Sequence, residues 1–140
     1  MYLLLGAYAC AFTCFVILYK SESKNLFKLG LFARVLVLFS IPSLSDDYFR
    51  FLWDGMLIGT GLSPFVSLPA DLLSQVSSMN DSSFVSDLFT QMNSQSYFSV
   101  YPPINQWLFW LAASFSSVKW GVLIIKVAIL LSELGMYWVL

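Results

Sequence analysis

The chain has 140 residues, of which 59% are apolar and only 11% charged, with a formal net charge of −1. A soluble domain of this size cannot bury so much apolar surface, so the composition predicts a membrane protein. The balanced charge argues against nucleic acid as a partner, and the lack of histidine excludes histidine-based acid–base catalysis and histidine-ligated metals.

Four apolar stretches predict an all-α membrane protein with about four transmembrane helices. The first stretch carries no charge and extends about 27 Å as a helix, enough to cross the hydrocarbon core. The last stretch reaches the final residue, so we expect residues 1–140 to form one transmembrane domain, the amino-terminal part of a larger protein. The predicted spans are 2–19, 26–44, 102–117 and 120–140, and the long loop is 45–101.

The lysines predict the orientation of these spans. The two short loops contain Lys20, Lys24, Lys28 and Lys119, whereas the long loop has Arg50 as its one cation among six aspartates. By the positive-inside rule the lysines are cytoplasmic and the loop is extracytoplasmic. Within that loop, Phe84, Val85, Leu88 and Phe89 have the spacing of a short amphipathic helix at the membrane surface.

The candidate active site lies just after the second span, in the sequence SDDYFRFLWDG. Ser45 suits a helix N-cap, and Asp46 and Asp47 suit the positive end of the helix dipole. Helical spacing aligns Asp47 with Arg50 and Asp54, while the aromatic residues suit a lipid interface. We therefore expect this helix to lie along the outer surface of the membrane.

Two interpretations of this helix stay open on physical grounds. It can be a well-capped helix in which Asp47, Arg50 and Asp54 form a row of exposed ion pairs, a charge ladder on the surface. Each such pair stabilises a helix by a few tenths of a kcal/mol. Alternatively, the paired carboxylates of Asp46 and Asp47 can accept a proton from a sugar hydroxyl, and Arg50 can bind a phosphate.

The start of the third span also has two interpretations. Pro102 and Pro103 suit the beginning of a helix, where the first N–H groups have no partner. With Tyr101 they can equally shape a sugar site beside the acidic helix. Gln106 can donate to a sugar hydroxyl or to a neighbouring helix.

Three motifs in order give the chain a resemblance to a known superfamily. They are Ser45-Asp46-Asp47-x-x-Arg50-x-x-Trp53-Asp54-Gly55, Gly61-x-Ser63-Pro64-Phe65, and Tyr101-Pro102-Pro103-x-Asn105-Gln106. Over residues 25–140 the chain resembles the amino-terminal part of GT-C integral-membrane glycosyltransferases, most closely bacterial mannosyltransferase-like proteins. It departs from them at Ser63, where asparagine is common, at Phe49 and Phe51, where tyrosine is common, and in having fewer spans.

The resemblance implies a multi-pass enzyme of the bacterial inner membrane. It would transfer a sugar, mannose above all, from a polyprenyl-phosphate donor to a glycan or lipid acceptor outside the cytoplasm, with no cofactor and no metal. Asp46 and Asp47 would be catalytic. The substrate would be bound by Arg50, Trp53, Asp54, Tyr101, Pro102, Pro103 and Gln106. The competing expectation is a non-catalytic membrane subunit whose acidic helix binds a partner protein.

Overall fold

The computed structural model describes residues 2–20 and 25–139, and within these residues it contains seven α-helices and no strand. The prediction of an all-helical chain is therefore confirmed. Contacts divide the chain into two compact units, residues 1–37 and residues 38–140. The helices are α1 Tyr2–Lys20, α2 Leu26–Val37, α3 Asp47–Gly59, α4 Pro69–Met79, α5 Ser82–Gln91, α6 Pro103–Ala113 and α7 Val118–Val139.

The first unit contains α1 and α2. Helix α1 is long and apolar enough to cross a membrane, as predicted. Helix α2 has 12 residues and is about 18 Å long, which is shorter than a hydrocarbon core. It ends at Val37 and not near residue 44, because a turn follows and Pro42 disfavours helix in the residue before it. Residues 21–24, which include Lys24 of the predicted lysine loop, lie outside the described residues.

Helix α3 is the centre of the second unit. Leu52, Trp53 and Asp54 are fully buried, and Leu57 is almost fully buried. Helix α6 packs against one side of α3, α5 against another, and α7 makes a smaller contact. Helix α3 is thus largely buried within the second unit. Its predicted place along the outer surface of the membrane stays a prediction.

Glycines allow the helices of the second unit to cross closely. A Cβ atom added to Gly55 would lie 2.0 Å from the carbonyl oxygen of Phe109, so the backbones of α3 and α6 touch there. A Cβ atom on Gly121 of α7 would lie 2.4 Å from Leu52 and 3.1 Å from the carbonyl oxygen of Ala112. Such contacts between small residues are typical of helices that pack in membranes.

Helices α4 and α5 cover the remaining side of the core. The predicted short helix is confirmed as α5, but its apolar residues Phe84, Val85 and Leu88 are buried in the core and not turned to a membrane surface. Asp81 caps α5 by accepting hydrogen bonds from the N–H groups of Ser83 and Phe84. Helix α4 lies in a stretch for which the sequence predicted no helix.

Helices α6 and α7 complete the unit. Pro102 is the N-cap of α6 and Pro103 its first residue, as predicted for a helix start. Helix α6 has 11 residues and is about 16 Å long, so the predicted span 102–117 is not confirmed. Helix α7 has 22 residues. Among the described residues two helices, α1 and α7, are long and apolar enough to cross a membrane, so four spans are not confirmed.

Candidate functional site

Arg50 and Asp54 form a buried ion pair on one face of α3. The guanidinium Nε of Arg50 donates to Oδ1 of Asp54 at 2.7 Å, and the two side chains are 4% and 0% exposed. The Nη1 of Arg50 donates to the backbone carbonyls of Ser94 and Tyr97, both at 2.8 Å. A buried charge is tolerated when it is paired and hydrogen-bonded, and these contacts meet that condition at Nε and Nη1 of Arg50. The expected surface charge ladder is therefore wrong for this pair.

The second oxygen of Asp54 connects the pair to α6. Ser99 donates to Oδ2 of Asp54 at 2.5 Å, and the Nε2 of Gln106 lies 3.0 Å from the Ser99 hydroxyl and 3.4 Å from the same carboxylate oxygen. Both Ser99 and Gln106 are buried. The resulting polar network joins α3, the segment before α6, and α6 itself, so it fixes how these three parts pack.

Three buried polar atoms near this network have no hydrogen-bond partner among the described residues. They are Nη2 of Arg50, Nε1 of Trp53 and Oε1 of Gln106. Trp53 packs its ring against Phe89 with 5.7 Å between the ring centroids. Trp53 thus lies in the core of the second unit, and a direct contact with substrate would require movement of α5.

The two candidate catalytic carboxylates lie at the amino end of α3. Asp46 occupies the N-cap position and Asp47 begins the helix, and both are exposed. Ser45, one position before the observed N-cap, accepts a hydrogen bond from the N–H of Asp47 at 3.3 Å and donates to its carboxylate at 2.9 Å. The carboxylates are therefore open to solvent on a helix whose remainder is held inside the protein.

Aromatic rings surround the exposed end of α3 on the side of Asp47. Phe51, one turn after Asp47, lies edge-to-face with Tyr101 at 4.9 Å and stacks on Phe109 at 4.6 Å between ring centroids. Burial raises the pKa of the Tyr101 phenol, and the charge of Asp47 and then that of Asp54 raise it further, against a lowering by Arg50.

The predicted site residues therefore separate into two groups. Arg50, Trp53, Asp54 and Gln106 lie in the interior, whereas Asp46, Asp47, Tyr101, Pro102 and Pro103 lie at the exposed ends of α3 and α6. Sequence reasoning missed Ser94, Tyr97 and Ser99, which complete the interior network. These residues lie in a serine-rich stretch where nothing in the local pattern distinguishes them from neighbouring serines.

The cavities of the second unit include three that are lined by described residues. One of about 370 Å³ lies between residues 38–41 and the start of α7. Another of about 360 Å³ lies between the carboxyl ends of α3 and α6, and the third is an apolar groove of about 460 Å³ along α6 and α7. Neither Asp46 nor Asp47 lines any of these three cavities. Among the described residues no group of three or more histidines, cysteines and acids could hold a metal ion.

Comparison of the chain with family models, with curated proteins and with solved structures finds no match. The resemblance to GT-C glycosyltransferases thus stays a prediction from the three motifs.

Proposed function

We propose that the chain is part of a membrane glycosyltransferase that moves a sugar, mannose by the resemblance, from a polyprenyl-phosphate donor to a glycan or lipid acceptor outside the cytoplasm. One observation carries the proposal: two carboxylates are exposed at the amino end of a helix whose next turns are fixed in the protein core. A catalytic base needs such a combination of access and rigid support. The two helices long enough to cross a membrane are consistent with a lipid-linked donor.

In the proposed reaction Asp47 or Asp46 accepts the proton of the acceptor hydroxyl. The acceptor oxygen then bonds to the anomeric carbon of the sugar, and the bond between that carbon and the phosphate oxygen breaks, so the polyprenyl phosphate leaves with the electron pair. We favour Asp47 as the base, because it lies one helical turn before Phe51, whose ring packs on Tyr101 and with it offers an apolar surface to a sugar face. Pro102 and Pro103 would fix the edge of this surface.

We assign Arg50 and Asp54 a positioning role in place of the phosphate-binding role that the resemblance implies. A phosphate-binding arginine presents two N–H groups to the ligand. The Nε and Nη1 of Arg50 are used within the protein, and Nη2 is buried. Gln106 and Trp53 are buried in the same region and would act in the same way. Replacing any of these four residues should change catalysis through the position of α3.

A second candidate is a non-catalytic membrane subunit that binds a basic partner protein. The observation that favours it is that Asp46 and Asp47 are both exposed to solvent at the amino end of α3. An exposed acidic helix end of this kind can bind arginine or lysine side chains of a partner without any chemistry.

The test introduces Asp46→Asn and Asp47→Asn separately into the chromosomal gene and assays membranes of the source cells with a radiolabelled polyprenyl-phosphate mannose. Loss of a positioned base should lower the transfer rate by roughly 10²–10⁴-fold in at least one variant. Asp87→Asn is the matched control, because Asp87 is an exposed aspartate on α5 and its replacement removes the same charge.

The result separates the two candidates. An unchanged transfer rate in both Asp46→Asn and Asp47→Asn membranes would refute the enzymatic proposal and leave the non-catalytic subunit. A loss of transfer that Asp87→Asn shares would mean that net charge, and not a specific base, determines the rate.

A further inference from the structure

Beyond the proposed active site, the structure contains a cavity whose chemistry suits the phosphate of a lipid. This cavity, of about 370 Å³, has apolar walls that include Phe39 and Trp120 and polar groups from Ser40, Ser117 and Lys119. Its volume lies in the range of ligand cavities, about 300–1,000 Å³. No carboxylate is present in its lining, so the local charge favours an anion.

Lys119 of α7 provides positive charge in the lining of this cavity. The ammonium of Lys119 has no hydrogen-bond or ion-pair partner in the part of the chain that the structure describes. Lys126, two turns further along α7, donates to the carbonyl oxygen of Ser40 and to its hydroxyl at 3.1 Å. That contact holds the segment with Ser40 against α7. This segment forms one wall of the cavity, so the wall is fixed by a specific hydrogen bond.

A separate apolar groove lies next to this cavity, along α6 and α7. The groove has a volume of about 460 Å³ and shares Trp120 and Leu123 with the cavity that contains Lys119. Its lining carries no charged side chain. From Trp120 to Leu131 it extends about 16 Å along the helix axis, which is close to half of the roughly 30 Å hydrocarbon core.

The groove is also open at its surface. Phe115, Trp120 and Leu131 are 58%, 59% and 61% exposed. An acyl chain in the groove would contact these side chains directly.

We propose that a phospholipid with a net negative charge binds here, with its phosphate beside Lys119 and one acyl chain in the groove between α6 and α7. The groups of the site follow the order of the parts of a lipid in one leaflet. Lys119 lies at the level of the phosphate, Trp120 at the level of the membrane interface, and the groove at the level of the acyl chain. This lipid is neither donor nor acceptor in the proposed reaction. It ties α6 and α7 to the bilayer and thereby supports the helix pair against which α3 packs.

The test compares phosphatidylglycerol with phosphatidylcholine of identical acyl chains. Both lipids are titrated into the detergent-solubilised full chain, and binding constants are measured by native mass spectrometry. We expect phosphatidylglycerol to bind roughly fivefold more tightly, because a lysine near an anionic headgroup contributes about that factor. Lys119→Gln should abolish the preference and Lys119→Arg should keep it, whereas Lys28→Gln, which removes an exposed lysine of α2, should leave it unchanged.

Ala128→Phe tests the groove separately. Ala128 lines the groove, so the larger ring should weaken binding of both lipids by a similar factor. Circular dichroism of every variant checks that the helices are intact, and Lys119→Arg gives a charge-preserving comparison if Lys119→Gln unfolds.

Three results would overturn the proposal. The first is an unchanged headgroup preference in Lys119→Gln. The second is displacement of phosphatidylglycerol by millimolar inorganic phosphate, which would make this a site for free anions. The third is displacement by polyprenyl phosphate at lower concentration than any phospholipid, which would assign the site to the glycosyl donor.

Discussion

Replacing Gly55 by alanine should destabilise the protein, although alanine is the better helix former. The added Cβ would lie 2.0 Å from the carbonyl oxygen of Phe109 and 2.6 Å from the backbone nitrogen of Trp110. A carbon normally stays about 3.3–3.6 Å from a carbonyl oxygen. Because the obstacle is backbone and not a flexible side chain, α6 must move away from α3 by more than about 1 Å.

The change in the free energy of unfolding caused by Gly55→Ala is the difference between two contributions. Overpacking a tight contact costs about 1–3 kcal/mol, and the rigid obstacle places this case at the upper end. Alanine recovers about 0.8–1.0 kcal/mol of helix propensity. Movement of α6 also lengthens the contact between Gln106 and Asp54, already 3.4 Å. We therefore expect a net loss of about 2 kcal/mol.

Thermal unfolding of the detergent-solubilised protein, followed by tryptophan fluorescence, measures this loss. The fully buried Trp53 reports on the region of the contact. The midpoint temperature of thermal unfolding should be roughly 7 °C lower in Gly55→Ala than in the wild type, for a chain of this length. Gly135→Ala is the matched control, since Gly135 lies in α7 with no atom within 4 Å of an added Cβ. That variant should unfold at the same temperature or slightly higher.

A Gly55→Ala protein as stable as the wild type, with Gly135→Ala behaving as expected, would refute the reasoning. It would mean that α3 and α6 are not in backbone contact, or that α6 contributes little to the stability of the second unit.

Two further predictions concern the aspartates. Asp54→Asn should lower the free energy of unfolding by about 3–5 kcal/mol in a denaturant titration, because it leaves buried Arg50 without its counter-ion; exposed Asp87→Asn should change it little, and equal effects would contradict this role. Asp81→Ala should lower the helicity measured by circular dichroism, whereas Asp81→Asn should preserve it as a cap. Hydrogen bonds from Ser83 lower the pKa of Asp81 in the folded protein. The stabilisation of α5 by the Asp81 cap is therefore present above about pH 4, and it is lost as the pH falls through the lowered pKa of Asp81 in the folded protein. An acid unfolding transition that is unchanged in Asp81→Ala would contradict this.

Local signals in the sequence predicted the starts of the helices near the site to within one residue, since the N-cap of α3 is Asp46 and not the predicted Ser45. Asp47 begins α3, and α3 ends at Gly59, followed by Gly61 with a φ of 77° that few other residues adopt. Pro103 begins α6. These boundaries depend on a few adjacent residues and on their own backbone preferences, so a single sequence contains the information for them.

The burial of α3 could not be predicted in this way. Arg50 and Asp54 have the composition and spacing of a solvent-exposed helix face. They are buried because the carbonyls of Ser94 and Tyr97 and the hydroxyl of Ser99 meet them from 44 to 47 residues further along the chain. Helical periodicity reports which residues share a face, but it does not report what covers that face.

The lengths of α2 and α6 show a related limit. The apolar stretches that contain them continue beyond their last helical residues, Val37 and Ala113. Hydropathy alone therefore extends both helices to the length of a span. The turns that follow them contain isolated serines, such as Ser40 and Ser116. A hydropathy window averages these serines with their apolar neighbours.

The buried polar network has a consequence for how the protein is synthesised. Arg50 and Asp54 are four residues apart on one helix, so they can neutralise each other as soon as α3 forms. Gln106, which covers the other side of Asp54, is 52 residues further along. At about 5–20 residues per second the ribosome needs roughly 3–10 s to reach it. During that interval the ion pair leaves α3 with no uncompensated charge. Helix α3 can pack between α5 and α6 only after the ribosome has synthesised the chain beyond Gln106.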